Sequence, residues 1–295
     1  MSTKKQIEEY STYNALSYHP FASSALHYGV RIAAVIEKPL SVLKTKAEFK
    51  RTPSKAEYYC ISVARTLSHV LTICQQLEHS VLYFSSFSPT QKMKQAGITR
   101  QSHLLFCIEN YIIRTQSMYD RLLRLVDRVF ELYNPSHMIS HGLIMSNLHV
   151  EHSSIPNKLQ KLRKVIKDYY HDRNIIIHEQ QFLEDELREL EACTFLSTSK
   201  GPLKEKRWLI ERVNRLARQI IKNKTKEFSK VNHDSFIIIG DIFNHLNKEY
   251  EYKRGILEAI HGKSELAEIP TIVRYKTVRE PVTSPDSVKT SRSKN

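Results

Sequence analysis

From residue 54 onward the apolar positions recur at steps of three and four, the period of an amphipathic helix. Leu67, Val70, Leu71, Cys74, Leu77, Val81 and Phe84 share one face of a helix that starts in Thr52-Pro53-Ser54-Lys55-Ala56-Glu57 and runs to about residue 86. Ser54 and Glu57 have the spacing of a capping box, and Ser88-Pro89 closes the segment. A second long helix is predicted from near Thr99 to about Tyr133, with Met118, Leu122, Leu125, Val129 and Leu132 as its stripe. Arg114, Arg121, Arg124 and Arg128 lie between those apolar positions, and Asn134-Pro135 stops the helix.

A third helix opens at Ser153-Ser154-Ile155-Pro156 and buries Leu159, Leu162, Ile166 and Tyr169. His171-Asp172 then leads into Arg173–His178, from which a fourth, acidic helix is predicted to run to about Cys193. After the break at Gly201-Pro202 a fifth helix spans 203–229 and a sixth starts at Phe236-Ile237-Ile238-Ile239-Gly240, ending near His261. That apolar run has strand composition, but no partner strands accompany it, so a helix is the reading. Shorter helical pieces are predicted at 3–15 and 23–37, separated by His19-Pro20. The division that follows is a partly helical N-terminal extension over 1–50, a bundle of long antiparallel helices over 51–262, and a flexible, largely disordered tail over 263–295. Glycine supports an all-α fold: the chain has only 7 in 295 residues, too few for a protein of many tight turns.

Charge narrows the partners. Lys and Arg exceed Asp and Glu by 45 to 31, a net charge of +14 that attracts polyanions. The excess is spread over helices rather than gathered in one polybasic run, which favours nucleic acid over a membrane surface. Lys158, Lys161, Arg163, Lys164 and Lys167 on the third helix are the candidate RNA-binding residues. None of the cysteines (Cys60, Cys74, Cys107, Cys193) forms a C-x-x-C pair, so disulfides and zinc are not expected and a reducing cytoplasm is the natural compartment. The N-terminus lacks an export-type apolar core, and no apolar run nears the roughly 18–20 residues that cross a bilayer.

Most chemical motifs are missing. There is no phosphate-binding glycine loop, no nucleophile elbow and no H-E-x-x-H. His137/His141 and His149/His152 have helical spacing but no third ligand, so neither a metal nor a cofactor is expected. What remains is Arg173-Asn174-Ile175-Ile176-Ile177-His178. An arginine followed by a histidine after four to six residues means little alone, because chance supplies about 2.7 such pairs in a chain of this composition. A second one, Arg254 to His261, is present. Context separates them. After Arg173 come a polar side chain and three β-branched residues, and a Lys/Arg-rich helix delivers the chain to it.

RNA can be cut with its own 2′-hydroxyl as nucleophile. The reaction needs one group to take that proton, one to protonate the leaving 5′-oxygen, and positive charge beside the phosphorane. Histidine titrates near neutrality and arginine forks onto phosphate oxygens, so His178 and Arg173 suit these tasks. Asn174 is the third candidate, to hold the phosphate or orient His178. Five residues of ideal helix turn about 500°, which leaves Arg173 and His178 about 140° apart. Either the helix starts after Asp172, or each side chain serves a different half of a two-fold site.

An arginine, a polar residue, an apolar stretch and a histidine, late in a helical bundle, resemble the HEPN superfamily. Tyr119-Asp120-Arg121-Leu122-Leu123-Arg124-Leu125-Val126-Asp127 also looks like a core helix of stand-alone bacterial members. The resemblance covers about 54–245. It implies a helical bundle that pairs as a homodimer, with the two Arg-x4-6-His segments meeting in one cleft. It further implies metal-independent RNA cleavage, often as a toxin or antiphage effector with an antitoxin or regulatory partner. Toxin–antitoxin members carry a tyrosine two residues after the histidine; Gln180 stands there instead. The competing expectation is a non-catalytic HEPN-like module that binds RNA or a protein.

Overall fold

A computed structural model describes residues 12–36, 50–178, 182, 184–199 and 203–262. Their helices are α1 Thr12–Ser17, α2 Pro20–Ile36, α3 Lys55–Ser85, α4 Gln91–Gln95, α5 Arg100–Val129, α6 His141–Met145, α7 Leu148–Glu151, α8 Ile155–Val165, α9 Lys167–His178, α10 Asp185–Thr198 and α11 Leu203–His261. No strand occurs among the described residues. None of these helices is long and apolar enough to cross a membrane. The segment 263–295, read from the sequence as a tail, lies outside the described residues, as does Gln180.

The long helices start where their caps place them. The Ser54 hydroxyl accepts from Glu57 N at 3.2 Å while Glu57 Oε2 accepts from Ser54 N at 2.9 Å, and the buried Glu57 is further held by Arg51. Thr99 caps α5 in the same way with Ser102. The predicted extension of α5 to Tyr133 fails: it ends at Val129, because Glu131 (φ 53°) and Tyr133 (φ 56°) turn left-handed and Leu132 N returns to Asp127 O.

Helices α3 and α5 run antiparallel in a register set by their polar edge. Arg114 Nη1 donates to Gln76 Oε1, and Arg121 Nη1 donates to the His69 carbonyl at 3.0 Å. More than two turns further along, Tyr59 Oη donates to the Val129 carbonyl at 3.0 Å. Helix α11 packs on both. Tyr111 of α5 stacks on Phe228 at 3.8 Å between ring centres, and its hydroxyl reaches the Phe228 carbonyl and Asn232 Oδ1 at 3.1 and 2.9 Å. Asn232 Nδ2 donates to the Leu77 carbonyl of α3 at 3.1 Å, so one amide ties three helices.

Two helices predicted at 203–229 and from Phe236 are one helix of 59 residues, about 90 Å long. The polar stretch Lys230 to Ser235 contains no Gly or Pro, and Asn232 and Ser235 are buried against the core rather than turned out as a loop. The first part of α11 pairs with α10. Arg212 meets Glu189, Gln219 meets Glu186 at 3.3 Å, and Lys224 meets Glu184 at 2.6 Å. The acidic character of α10 therefore answers the basic start of α11.

Helix α2 shares the same core. Gly29 lies so close to α3 that a Cβ there would sit 2.3 Å from Ala64 Cβ and 2.5 Å from the Cys60 carbonyl. Ser24 Oγ donates to Glu251 Oε1 at 2.7 Å, and the Arg254 guanidinium lies 4.2 Å over the Tyr28 ring. Arg254, first of the second Arg–His pair, is thus a cation that fastens α2 to α11.

Candidate functional site

Helix α9 carries the Arg-x4-His segment. It begins immediately after α8, whose last turn closes at Ile166, and both helices are anchored by apolar side chains: Leu159 and Leu162 on α8, Tyr169 on α9. The Tyr169 ring meets Tyr111 edge-on at 5.8 Å, and its hydroxyl donates to Glu227 Oε1 at 2.5 Å. The sequence pattern predicts Arg173–His178 leading into a helix that runs to about Cys193. Instead it forms the last turns of α9, and a separate helix starts at Asp185. The acidic first turn at Asp168 and the cationic-capable His178 in the last turn both suit the helix dipole in that frame.

Two consequences follow for the side chains. Arg173 is inside the helix, not freed ahead of it, so the option of a helix beginning after Asp172 is removed. Arg173 and His178 then project about 140° apart from one another. Second, the three isoleucines do not all face the core: Ile176 packs against it, whereas Ile177 is exposed, because neighbours on a helix differ by about 100°.

Arg173 is half-buried and its Nη1 donates to Asn174 Oδ1 at 3.0 Å. Asn174 therefore engages Arg173 rather than His178. His178 is exposed and has no hydrogen bond or ion pair among the described residues. Arg173 also faces Asp120 of α5, a residue that sequence reasoning did not single out. Burial pushes the Asp120 carboxyl above the ordinary carboxylate range, while the Gln116 amide at 3.0 Å and the Arg173 and Arg124 guanidinium groups pull it back.

The basic residues of α8 divide. Lys158 Nζ donates to the Asp241 carbonyl of α11 at 2.7 Å and is committed to the fold. Lys161, Arg163, Lys164 and Lys167 are exposed. Arg163 lies near a buried edge of α5 where Tyr119 Oη and His141 Nδ1 meet at 2.5 Å; burial first, and Arg163 second, hold His141 below the ordinary histidine range. Among the described residues no group of three His, Cys, Asp or Glu side chains gathers as a metal site.

A second basic surface borders Asp120. Thr66 and His69 of α3 and Arg121 and Arg124 of α5 line an open hollow of about 280 Å³. Burial lowers the titration of His69, and Arg121, Arg124 and Arg65 lower it further. The arginine row of α5 was visible in the sequence; that it stands across from His69 depends on the α3–α5 register.

The chain matches the HEPN_Cthe2314-like HEPN family over residues 58–247, well over half its length. The chain belongs to that family. The matched span runs from the first turn of α3 through most of α11 and includes the positions of Asp120, Arg173 and His178. Membership points in general terms to RNase-type or nucleotide-related function. No curated protein and no solved structure matches the chain.

Proposed function

We propose that this HEPN protein is a metal-independent endoribonuclease whose active site is completed by a second copy of the chain. The observation that carries the reading is the placement of Arg173 and His178 on the final turns of one helix, both reachable by solvent, with Arg173 and the α5 residue Arg124 acting on the same Asp120. Divergent side chains on one helix cannot grip a single phosphate from within one chain. Two α9 helices brought together about a two-fold axis present two guanidinium groups and two imidazoles to one phosphodiester.

In that arrangement one His178 takes the proton of the 2′-hydroxyl as its oxygen bonds to phosphorus. The other His178 gives a proton to the departing 5′-oxygen as the P–O bond breaks. The Arg173 pair balances the charge on the phosphorane oxygens, and Asn174 fixes the guanidinium fork. The products are a 2′,3′-cyclic phosphate and a 5′-hydroxyl. Lys161, Arg163, Lys164 and Lys167 add a field that draws RNA towards the site. An activity of this kind fits a toxin or antiphage effector held in check by a regulatory partner in the cytoplasm. With Gln180 in place of the tyrosine, that control does not use modification at this position.

A binding module without catalysis is favoured by one observation: in the single chain Arg173 donates to Asn174, and the charge of Asp120 attracts it. The test is RNA cleavage in EDTA by the purified protein. The nuclease reading expects cleavage that stops in His178→Ala and Arg173→Ala while helical content is unchanged. Salt-sensitive RNA binding without any product supports the module instead.

A further inference from the structure

The hollow between α3 and α5 is lined by two arginines, one of which is fixed before any ligand arrives. Arg121 is held by its hydrogen bond to the His69 carbonyl, so its fork is oriented across the groove. Arg124, one turn further along α5, is exposed and has no hydrogen bond or ion pair among the described residues. Its charge acts on His69 in one direction and on Asp120 in the other. Arg173 acts on the same Asp120 from α9. Helix α5 is thus shared by two neighbouring grooves: the hollow on the α3 side and the Arg173 segment on the α9 side. Packed helices lie about 8–10 Å apart, so the two grooves are within reach of one polyanion strand.

A structural stripe would neutralise its arginines, as Arg254 is neutralised by Glu251 and Glu258. No carboxylate lines this hollow. Two guanidinium groups gathered with no carboxylate in the lining, Asp120 lying only beyond Arg124, repel one another, and an anion relieves that repulsion. Arginine forks match phosphate oxygens at such a site.

We infer that Thr66, His69, Arg121 and Arg124 form a phosphate subsite that seats the RNA backbone beside the phosphodiester presented to Arg173 and His178. The inference rests on the ribonuclease reading for what happens to the RNA, but not for its binding. Arg121 supplies a fixed donor pair, Arg124 closes over the phosphate, and His69 becomes a donor when it takes up a proton. Asp120 attracts both Arg124 and Arg173, and its negative charge disfavours a phosphate at its own position.

The experiment uses the full chain carrying His178→Ala, which removes cleavage, and a fluorescent single-stranded oligoribonucleotide read by anisotropy across a salt series. Adding Arg124→Gln is expected to weaken binding and reduce the slope of log affinity against log salt by about 0.7, the loss of one phosphate contact on a single strand. Arg124→Lys restores most of the slope. Lys92→Gln, a matched charge loss on α4 at the other end of α5, leaves it unchanged. His69 is expected to titrate higher when RNA is added, measured by NMR.

Unchanged affinity and slope in Arg124→Gln, or no RNA binding at all, overturns the subsite. Binding of inorganic phosphate in the hollow without any effect of Arg124→Gln on RNA assigns it to a small anion and also overturns it. The ribonuclease reading fails separately: RNA binding that depends on Arg124, in a wild-type protein that yields no cleavage product, sinks the nuclease and leaves the subsite standing.

Discussion

Arg173 of α9 stands beside Asp120 of α5 and draws down a carboxyl that burial lifts. The relation joins the Arg-x4-His segment to the helix that carries the arginine row, and it is readable without any activity. Replacing Arg173 by Ala removes one of the attractions that favour the charged carboxylate. The Asp120 titration midpoint is therefore expected to move further up, followed through its carboxyl carbon shift by NMR. The stability sign is fixed by the same direction. A carboxyl raised in the folded state favours folding when protonated, so stability is lost as pH rises from the unfolded titration point through the folded one. Arg173→Ala widens that window upward. An unmoved midpoint contradicts the placement of Arg173 against Asp120.

Asn232 is the polar pin of the bundle, bonded to Tyr111 and to the Leu77 carbonyl from within α11. Asn232→Ala leaves the Leu77 carbonyl short of a side-chain partner in a buried place and removes one acceptor from Tyr111. A loss of about 1–3 kcal/mol is expected in urea denaturation. Because one amide ties α3, α5 and α11, the transition should remain a single step at lower denaturant.

Glycine substitutions give a paired prediction. Gly29→Ala drives a Cβ into the Ala64 methyl and the Cys60 carbonyl, so α2 must lift from α3 and thermal stability falls. Gly255→Ala, in the same structural unit on α11, meets nothing within 4 Å and removes backbone freedom from the unfolded chain. It is expected to raise stability by about 0.5–1 kcal/mol. A neutral Gly29→Ala would show that α2 is not seated on α3 as described.

The long helices were legible because their stripes and caps are local: Ser54 with Glu57, and the three- and four-residue steps from Leu67 to Phe84, fall where the structure has them. The junctions were not. Nothing at Val165-Ile166-Lys167 announces the break between α8 and α9, since no Gly, Pro or new cap marks it. The stretch Lys230–Ser235 looks like a linker by polarity, yet Asn232 finds its partners on two other helices. The Arg-x4-His segment stands out by context, and in the second pair Arg254 serves the α2–α11 contact. The helical phase of Arg173 was not readable, because it depends on where α9 begins. Asp120 and the hollow beside it needed the α3–α5 register, which only long-range packing supplies.

The central claim is that one cleavage site draws His178 from two copies of the chain. Co-expressing wild-type and His178→Ala chains in varied proportion, and measuring cleavage in EDTA by the purified mixture, tests it most directly. If each cleft needs both imidazoles, activity falls as the square of the wild-type fraction. Activity that falls only in proportion to that fraction, or that His178→Ala alone does not diminish, contradicts the account.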